Sequence, residues 1–264
     1  MNIWKKFKEK ESNAFSSRIH EIDFFRGILI ILVIFDHLMW FINFYIFHRT
    51  NPFLSWYWSS TLRNTVRQIV LMLFLFACGL SCFLSKNNKK RGFLLLLLAL
   101  IVTIGTHIIQ LLPMFNNRVV VIDINVLGVI ALSILLFSIF EKRSNKDVLL
   151  VTGGLMLFFF FILLSKRVEP DIEYNAFRSV LYFSFNPIKE GYVGDYLSLF
   201  PYVIALFLGA LFARRFYSSK KTIIKKKGNW EKPICFLGRH TLIIYIAHEV
   251  IFTIIFMVIE KIIY

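Results

Sequence analysis

Residues 21–41 read EIDFFRGILIILVIFDHLMWF. Between Arg26 and Asp36 there is no polar side chain, and the apolar run continues to about residue 47. At 1.5 Å per residue such a helix crosses the roughly 30 Å of hydrocarbon in a bilayer. Six more stretches have the length and apolarity to do the same, at about 66–84, 92–112, 121–140, 147–164, 196–217 and 240–261. The chain has 264 residues, 57% of them hydrophobic, with mean hydropathy +0.66. A soluble domain sits nearer 45–50% apolar, so the composition points away from a soluble fold. The sequence predicts an all-α polytopic membrane bundle of about seven transmembrane helices. It forms one domain over 1–264, with a cytoplasmic tail at 1–23 and a basic cytoplasmic loop at 214–239. The polar tail ahead of the first span, and the absence of a small-residue cleavage site behind it, argue against a cleaved signal peptide.

The formal net charge of +15 suggests an anionic partner until its distribution is read. With the N-terminus in the cytoplasm, 21 of the 31 Lys and Arg fall in inner segments, nine of them in 214–239, and Arg26 stands at the inner membrane edge. That is the positive-inside asymmetry, so the charge reports orientation in a lipid bilayer and no nucleic-acid partner is expected. The core of the basic loop, KKTIIKKK, also suits anionic lipid or the phosphates of a cytosolic cofactor. Three cysteines are too few for a disulfide framework. Cys78 and Cys82, four apart on one helix face, read as small packing residues, and no metal is expected.

Ionisable groups inside hydrocarbon are costly and commonly face a bundle interior, so their positions carry the functional reading. His37 follows Arg26 by eleven residues, about 20° from three full helical turns, which places both on one face about 16 Å apart. Asp36 points about 100° away from His37. Histidine exchanges a proton near neutral pH and a carboxylate orients it, chemistry suited to deprotonating a hydroxyl or amine. Arg67 and Gln68 in the second span and Asn125 in the fourth supply polar groups in the outer half. His107, Asp123 and Asp195 lie there too, while Tyr245, His248 and Glu249 sit at middle depth in the last span. Trp56 and Trp58 are equally well read as interfacial aromatics. A proton-coupled transporter would use similar groups, but the chain has no evident internal repeat, and only Pro201 and Gly209 suggest a broken helix.

The opening block EIDFFRGILIILVIFDHLMWF, followed in order by WYWSSTLRNTVRQIVLMLFLFACGLSCFLSKNNKKRG, VLGVIALSILL, DYLSLFPYVIALFLGALFAR and LGRHTLIIYIAHEV, resembles the heparan-alpha-glucosaminide N-acetyltransferase catalytic-domain family. The resemblance covers most of the chain outside 141–190. It implies transfer of an acetyl group from cytosolic acetyl-CoA, as co-substrate, to an amino or hydroxyl group of an extracytoplasmic sugar. For a short bacterial-type chain it implies a plasma-membrane protein and a carbohydrate or glycolipid acceptor in the envelope, with a homodimer admitted. The wider superfamily carries an Arg followed eleven residues later by a His, matched here by Arg26 and His37.

The superfamily pattern implies His37 as the catalytic base, with its neighbour Asp36 read as assisting it; the lysosomal relatives, which lack the first-helix His and use one in the first luminal loop, imply His48 as the competing base. Arg26, Arg67, Gln68, Asn125 and His248 are the candidate donor-binding and oxyanion residues. Two departures matter: Phe41 stands where many bacterial members carry Asp, and Gly128 where a His is frequent. They keep open an inactive relative beside the enzyme and the transporter. The aromatic outer loop 165–195 is a candidate sugar-holding segment.

Overall fold

The computed structural model describes residues 19–112, 122, 125–166, 197–219, 221–224 and 228–263. The sequence expectations for 1–18, Asp123, the outer loop from 167 to 195 and the lysines at 220 and 225–227 lie outside them. The described residues are helical, with no strand among them. In chain order the helices are α1 (His20–Phe41), α2 (Pro52–Ser59), α3 (Thr61–Leu84), α4 (Asn88–Gln110), α5 (Val126–Phe140), α6 (Asn145–Lys166), α7 (Tyr202–Phe216), α8 (Glu231–Arg239) and α9 (Thr241–Ile263). A π-helical segment, Ile42–Ile46, continues α1. Among the described residues, four helices are long and apolar enough to cross a membrane: His20–Ile46, Thr61–Leu84, Asn88–Gln110 and Thr241–Ile263. Their flanks expose Ile31, Leu97, Ile101, Ile104, Ile251 and Ile254. In water such surfaces would be a liability, whereas in lipid they are solvated. This is a membrane protein.

The chain divides into two compact units, 1–77 with 217–264, and 78–216, with the boundary inside α3. In the first unit α1 lies along α8 and α9. The sequence makes this approach through glycine. A Cβ on Gly27 would run into the carbonyl of Ile234, and one on Gly238 into the carbonyl of Asp23, so the backbones of α1 and α8 meet with nothing between them. Arg239 Nε donates to Asp23 Oδ2 at 3.2 Å and His20 pairs with Glu231 at 2.9 Å across the same contact. Thr241 Oγ1 donates to the Gly238 carbonyl at 2.6 Å where α8 gives way to α9. Further along, Phe41 and Tyr45 bury against Phe256, with Phe252 packed beside them. Asp23 meets Arg239, His37 meets His248 and Phe41 meets Phe256, so α1 and α9 run parallel.

In the second unit Asn125 Oδ1 accepts from Gly128 N at 3.0 Å and caps α5, satisfying one of the free amides of its first turn. At the other end Arg214 Nη2 donates to the Glu141 carbonyl at 2.6 Å and Nη1 to the Arg143 carbonyl at 2.9 Å. A cation there satisfies carbonyls that the helix leaves unpaired. Asn88, 2% exposed, donates to the Cys82 carbonyl and to Glu141 Oε2, each at 2.8 Å.

Candidate active site

The ionisable residues of α1 divide between two clusters because consecutive side chains leave a helix about 100° apart. His37 turns toward α9. Its Nδ1 lies 2.9 Å from His248 Nε2 and makes an ion-pair contact with Glu249 Oε1, which is itself 3.4 Å from His248 Nε2. The imidazole rings stack at 5.0 Å and 27°, with the Tyr245 ring 5.7 Å from His248.

With both rings neutral, the hydrogen-bond partners assign the tautomers. His248 Nδ1 lies 3.0 Å from the Ile244 carbonyl, which only accepts, so this nitrogen carries the proton and Nε2 presents a lone pair. His37 Nδ1 faces that lone pair and the Glu249 carboxylate, both acceptors, so it is the donor. The lone pair of a neutral His37 is therefore on Nε2. A carboxylate that holds Nδ1–H fixes the ring and stabilises the imidazolium formed when Nε2 takes a proton. His248 is buried at 6% exposure, whereas His37 and Glu249 keep 30% and 38%, which leaves the cluster open on their side.

Asp36 faces the other way. Arg63 Nε donates to Asp36 Oδ1 at 2.8 Å and Nη2 to Oδ2 at 2.5 Å, a two-point clamp, and Tyr57 Oη donates to Oδ1 at 2.8 Å. The Arg63 guanidinium lies 3.8 Å from the Trp58 ring centroid. Such planar pairing and stacking is what arginine does better than lysine. The clamp ties α2 and the start of α3 to α1 beside the His37 cluster. The carboxylate in contact with His37 is thus Glu249, from α9 near the far end of the chain, and not its neighbour Asp36.

The other candidate residues fall as follows. Arg26 is half-buried on α1, three turns before His37, on the same helix face. Arg67 and Gln68 are half-buried on α3, one turn beyond Arg63. Asn125 is the α5 cap described above. His48 is exposed in the turn after the π-helical segment, with φ +43°. Phe41, where the resemblance implies a carboxylate, is 3% exposed in the aromatic packing between α1 and α9. His248 joins His37 directly. Glu249 carries a signal in the sequence, a carboxylate beside a histidine in an apolar run, but its partner could not be read from one helix.

Two phenols outside the spans are held neutral. Burial pushes the Tyr57 pKa up from 10.0, reinforced by its hydrogen bond to Asp36. Burial also pushes Tyr217 up to about 12, with the Glu21 carboxylate adding to the effect. In both cases the unfolded chain loses its proton first, so above pH 10 the folded state binds more protons and stability falls as pH rises. Thermal unfolding in detergent is expected to show no contribution from these groups below about pH 9 and a falling midpoint above pH 10. Tyr57→Phe with Tyr217→Phe should flatten that fall.

A family model described as "Heparan-alpha-glucosaminide N-acetyltransferase, catalytic" matches residues 18–250. No curated protein and no solved structure matches the chain at a significant level.

Proposed function

The chain belongs to the heparan-alpha-glucosaminide N-acetyltransferase catalytic family, and from this premise we propose that it is a membrane acyltransferase moving an acetyl group from cytosolic acetyl-CoA to an amino or hydroxyl group of a sugar outside the membrane. The observation that carries the reading is the His37–Glu249–His248 cluster on parallel helices, three turns from Arg26 on the same face of α1. A family of acetyltransferases needs a base for its acceptor. The tautomers described above leave His37 Nε2 with a lone pair, which supports its role as that base.

The topology supports seven spans with the N-terminus inside. If α1 and α9 both cross, their parallel course requires an odd number of crossings between them. The long helices α3 and α4 make only two, and α5, α6 and α7 together raise the number to five. The basic residues at the inner ends, Arg26, Arg214, Arg215, Lys221 and Arg239, then face the cytoplasm. For a bacterial-type chain this is the plasma membrane, with the acceptor an envelope glycan or glycolipid.

Acetyl-CoA would supply an activated acyl carbon in a thioester whose pantetheine arm, on the order of 15–20 Å long, matches the roughly 16 Å rise from Arg26 to His37. Arg26 and Lys221 would hold phosphates at the inner end. At the outer end His37 Nε2 removes the acceptor proton as the acceptor's nitrogen or oxygen bonds to the acyl carbon and the carbon–sulfur bond breaks. Glu249 stabilises the imidazolium, and the proton then leaves with the thiol. Donors for the developing oxyanion come from Arg67 and Gln68. Phe41 does not silence the site on this reading, because Glu249 supplies the carboxylate from α9.

Purified protein in proteoliposomes, given labelled acetyl-CoA and a mixed envelope-glycan extract, is expected to place label in glycan, and His48→Ala is expected to keep doing so. Loss of transfer with His48→Ala would move the base to the outer turn. No transfer with any extract and no CoA binding would favour a proton-relay transporter.

A further inference from the structure

The three donor atoms around His37 have a second chemical meaning. His37 Nδ1, His248 Nε2 and a Glu249 carboxylate oxygen all lie within 4.8 Å of one another. Two imidazole nitrogens and a carboxylate form a donor set that zinc and its first-row neighbours favour. In a tetrahedral zinc shell, with ligands about 2.0–2.1 Å from the ion, neighbouring donors stand about 3.3 Å apart. His248 Nε2 is 2.9 Å from His37 Nδ1 and 3.4 Å from Glu249 Oε1, while the directly paired His37 Nδ1 and Glu249 Oε1 would have to move apart to admit the ion. A metal-binding histidine is normally oriented by a hydrogen bond from its other nitrogen. His248 has one, from Nδ1 to the Ile244 carbonyl at 3.0 Å, which aims Nε2 at the shared point. That bond is independent of the contacts within the cluster. The half-exposed His37 and Glu249 leave a side from which an ion and a fourth ligand can approach.

We propose that His37, His248 and Glu249 form a three-ligand site for a divalent ion of the zinc type, and that its occupation and acetyl transfer exclude one another. The exclusion, which rests on the acyltransferase reading, follows from the proton on His37. As a base, His37 carries hydrogen on Nδ1 and a lone pair on Nε2. As a ligand it gives the Nδ1 lone pair to the ion, so its remaining hydrogen stands on Nε2, where the acceptor would have to be deprotonated. Glu249 is likewise committed to the ion. His248 keeps one tautomer in both states, so only His37 and Glu249 change role. The free metal concentration would then switch the enzyme off.

The site is tested without activity. The full chain in detergent, stripped with chelator, is titrated with Co2+ and followed by its visible absorption. One equivalent should bind with the intensity of a four-coordinate ion, and Zn2+ should displace it. His37→Asn and His248→Ala should abolish the spectrum, and Glu249→Gln should weaken binding at least tenfold. His107→Ala and His240→Ala, at histidines outside the cluster, should leave it unchanged. Each variant is checked by size-exclusion profile and melting midpoint, and Glu249→Gln, the most conservative, decides if the others fail to fold. No Co2+ band, or one that survives all three cluster variants, overturns the site. In the transfer assay Zn2+ at saturating occupancy should remove at least nine-tenths of the rate and chelator should restore it. Full transfer by the metal-loaded protein overturns the exclusion. Absence of transfer from the metal-free protein overturns the acyltransferase reading, while the Co2+ titration still decides the site.

Discussion

Replacing His37 with alanine is expected to lower the rate of acetyl transfer by about a hundredfold to ten-thousandfold, the range of a positioned general base. The KM for acetyl-CoA should change little if, as proposed, Arg26 holds the phosphates three turns away. Glu249→Gln should follow, with a loss of about a hundredfold or more. Glutamine keeps a similar shape but removes the charge that stabilises His37 as an imidazolium, and its amide group can face His37 Nδ1 as a donor and favour the wrong tautomer. His37→Ala combined with Glu249→Gln should be no worse than His37→Ala alone, since the carboxylate acts only through the ring. Arg26→Ala should show the opposite split, a raised KM for acetyl-CoA with the maximal rate largely kept. Initial rates over a range of acetyl-CoA, at one saturating glycan concentration and with chelator present, separate these cases. A His37→Ala protein with full activity would sink the assignment. So would an Asp36→Asn protein as impaired as Glu249→Gln, because Asp36 contacts Arg63 and Tyr57 and not the histidine.

Asp36 and Glu249 also show where the sequence stops being informative. Apolar length alone marks α1, α3, α4 and α9 as membrane helices, because hydrogen-bond satisfaction in lipid forces such stretches into helices. Rotation along one helix places Arg26 and His37 on a common face and turns Asp36 away. Which carboxylate reaches His37 is a property of two helices, and neither the register nor the parallel course of α9 on α1 can be read from either one. Asp36 is adjacent in the chain and remote in direction, whereas Glu249 is remote in the chain and in contact. The same limit hid the meaning of Phe41. Read alone it is a lost carboxylate; against Phe252 and Phe256 it is the packing that sets α9 beside α1 one turn beyond His37. Asn125 shows the converse, a polar residue that looks available for a ligand yet spends its side chain on the first turn of α5.

The register that brings α9 to His37 is set at the other end of α1, and Gly238→Ala is expected to destroy it. A β-carbon there would meet the Asp23 carbonyl oxygen and carbon and, at 2.9 Å, the Gly27 amide nitrogen. These are backbone atoms of a hydrogen-bonded helix, which cannot turn aside as a side chain can, so α1 and α8 must separate. Overpacking in a core costs about 1–3 kcal/mol, and a backbone collision belongs at the top of that range or beyond it. Separation would also lengthen the Asp23–Arg239 contact and carry the start of α9 outward, taking His248 and Glu249 from His37. Gly27→Ala, which drives the other side of the same contact into the Ile234 carbonyl, should have the same effect. Gly153→Ala and Gly154→Ala on α6, where a β-carbon meets nothing within 4 Å, should be neutral or stabilising, since alanine is favoured over glycine in a helix by about 1 kcal/mol. Melting midpoints in detergent are expected to fall sharply for the first pair and to hold or rise for the second. Equal midpoints for all four would mean that α8 is not seated on α1, and the site built on that seating would fall with it.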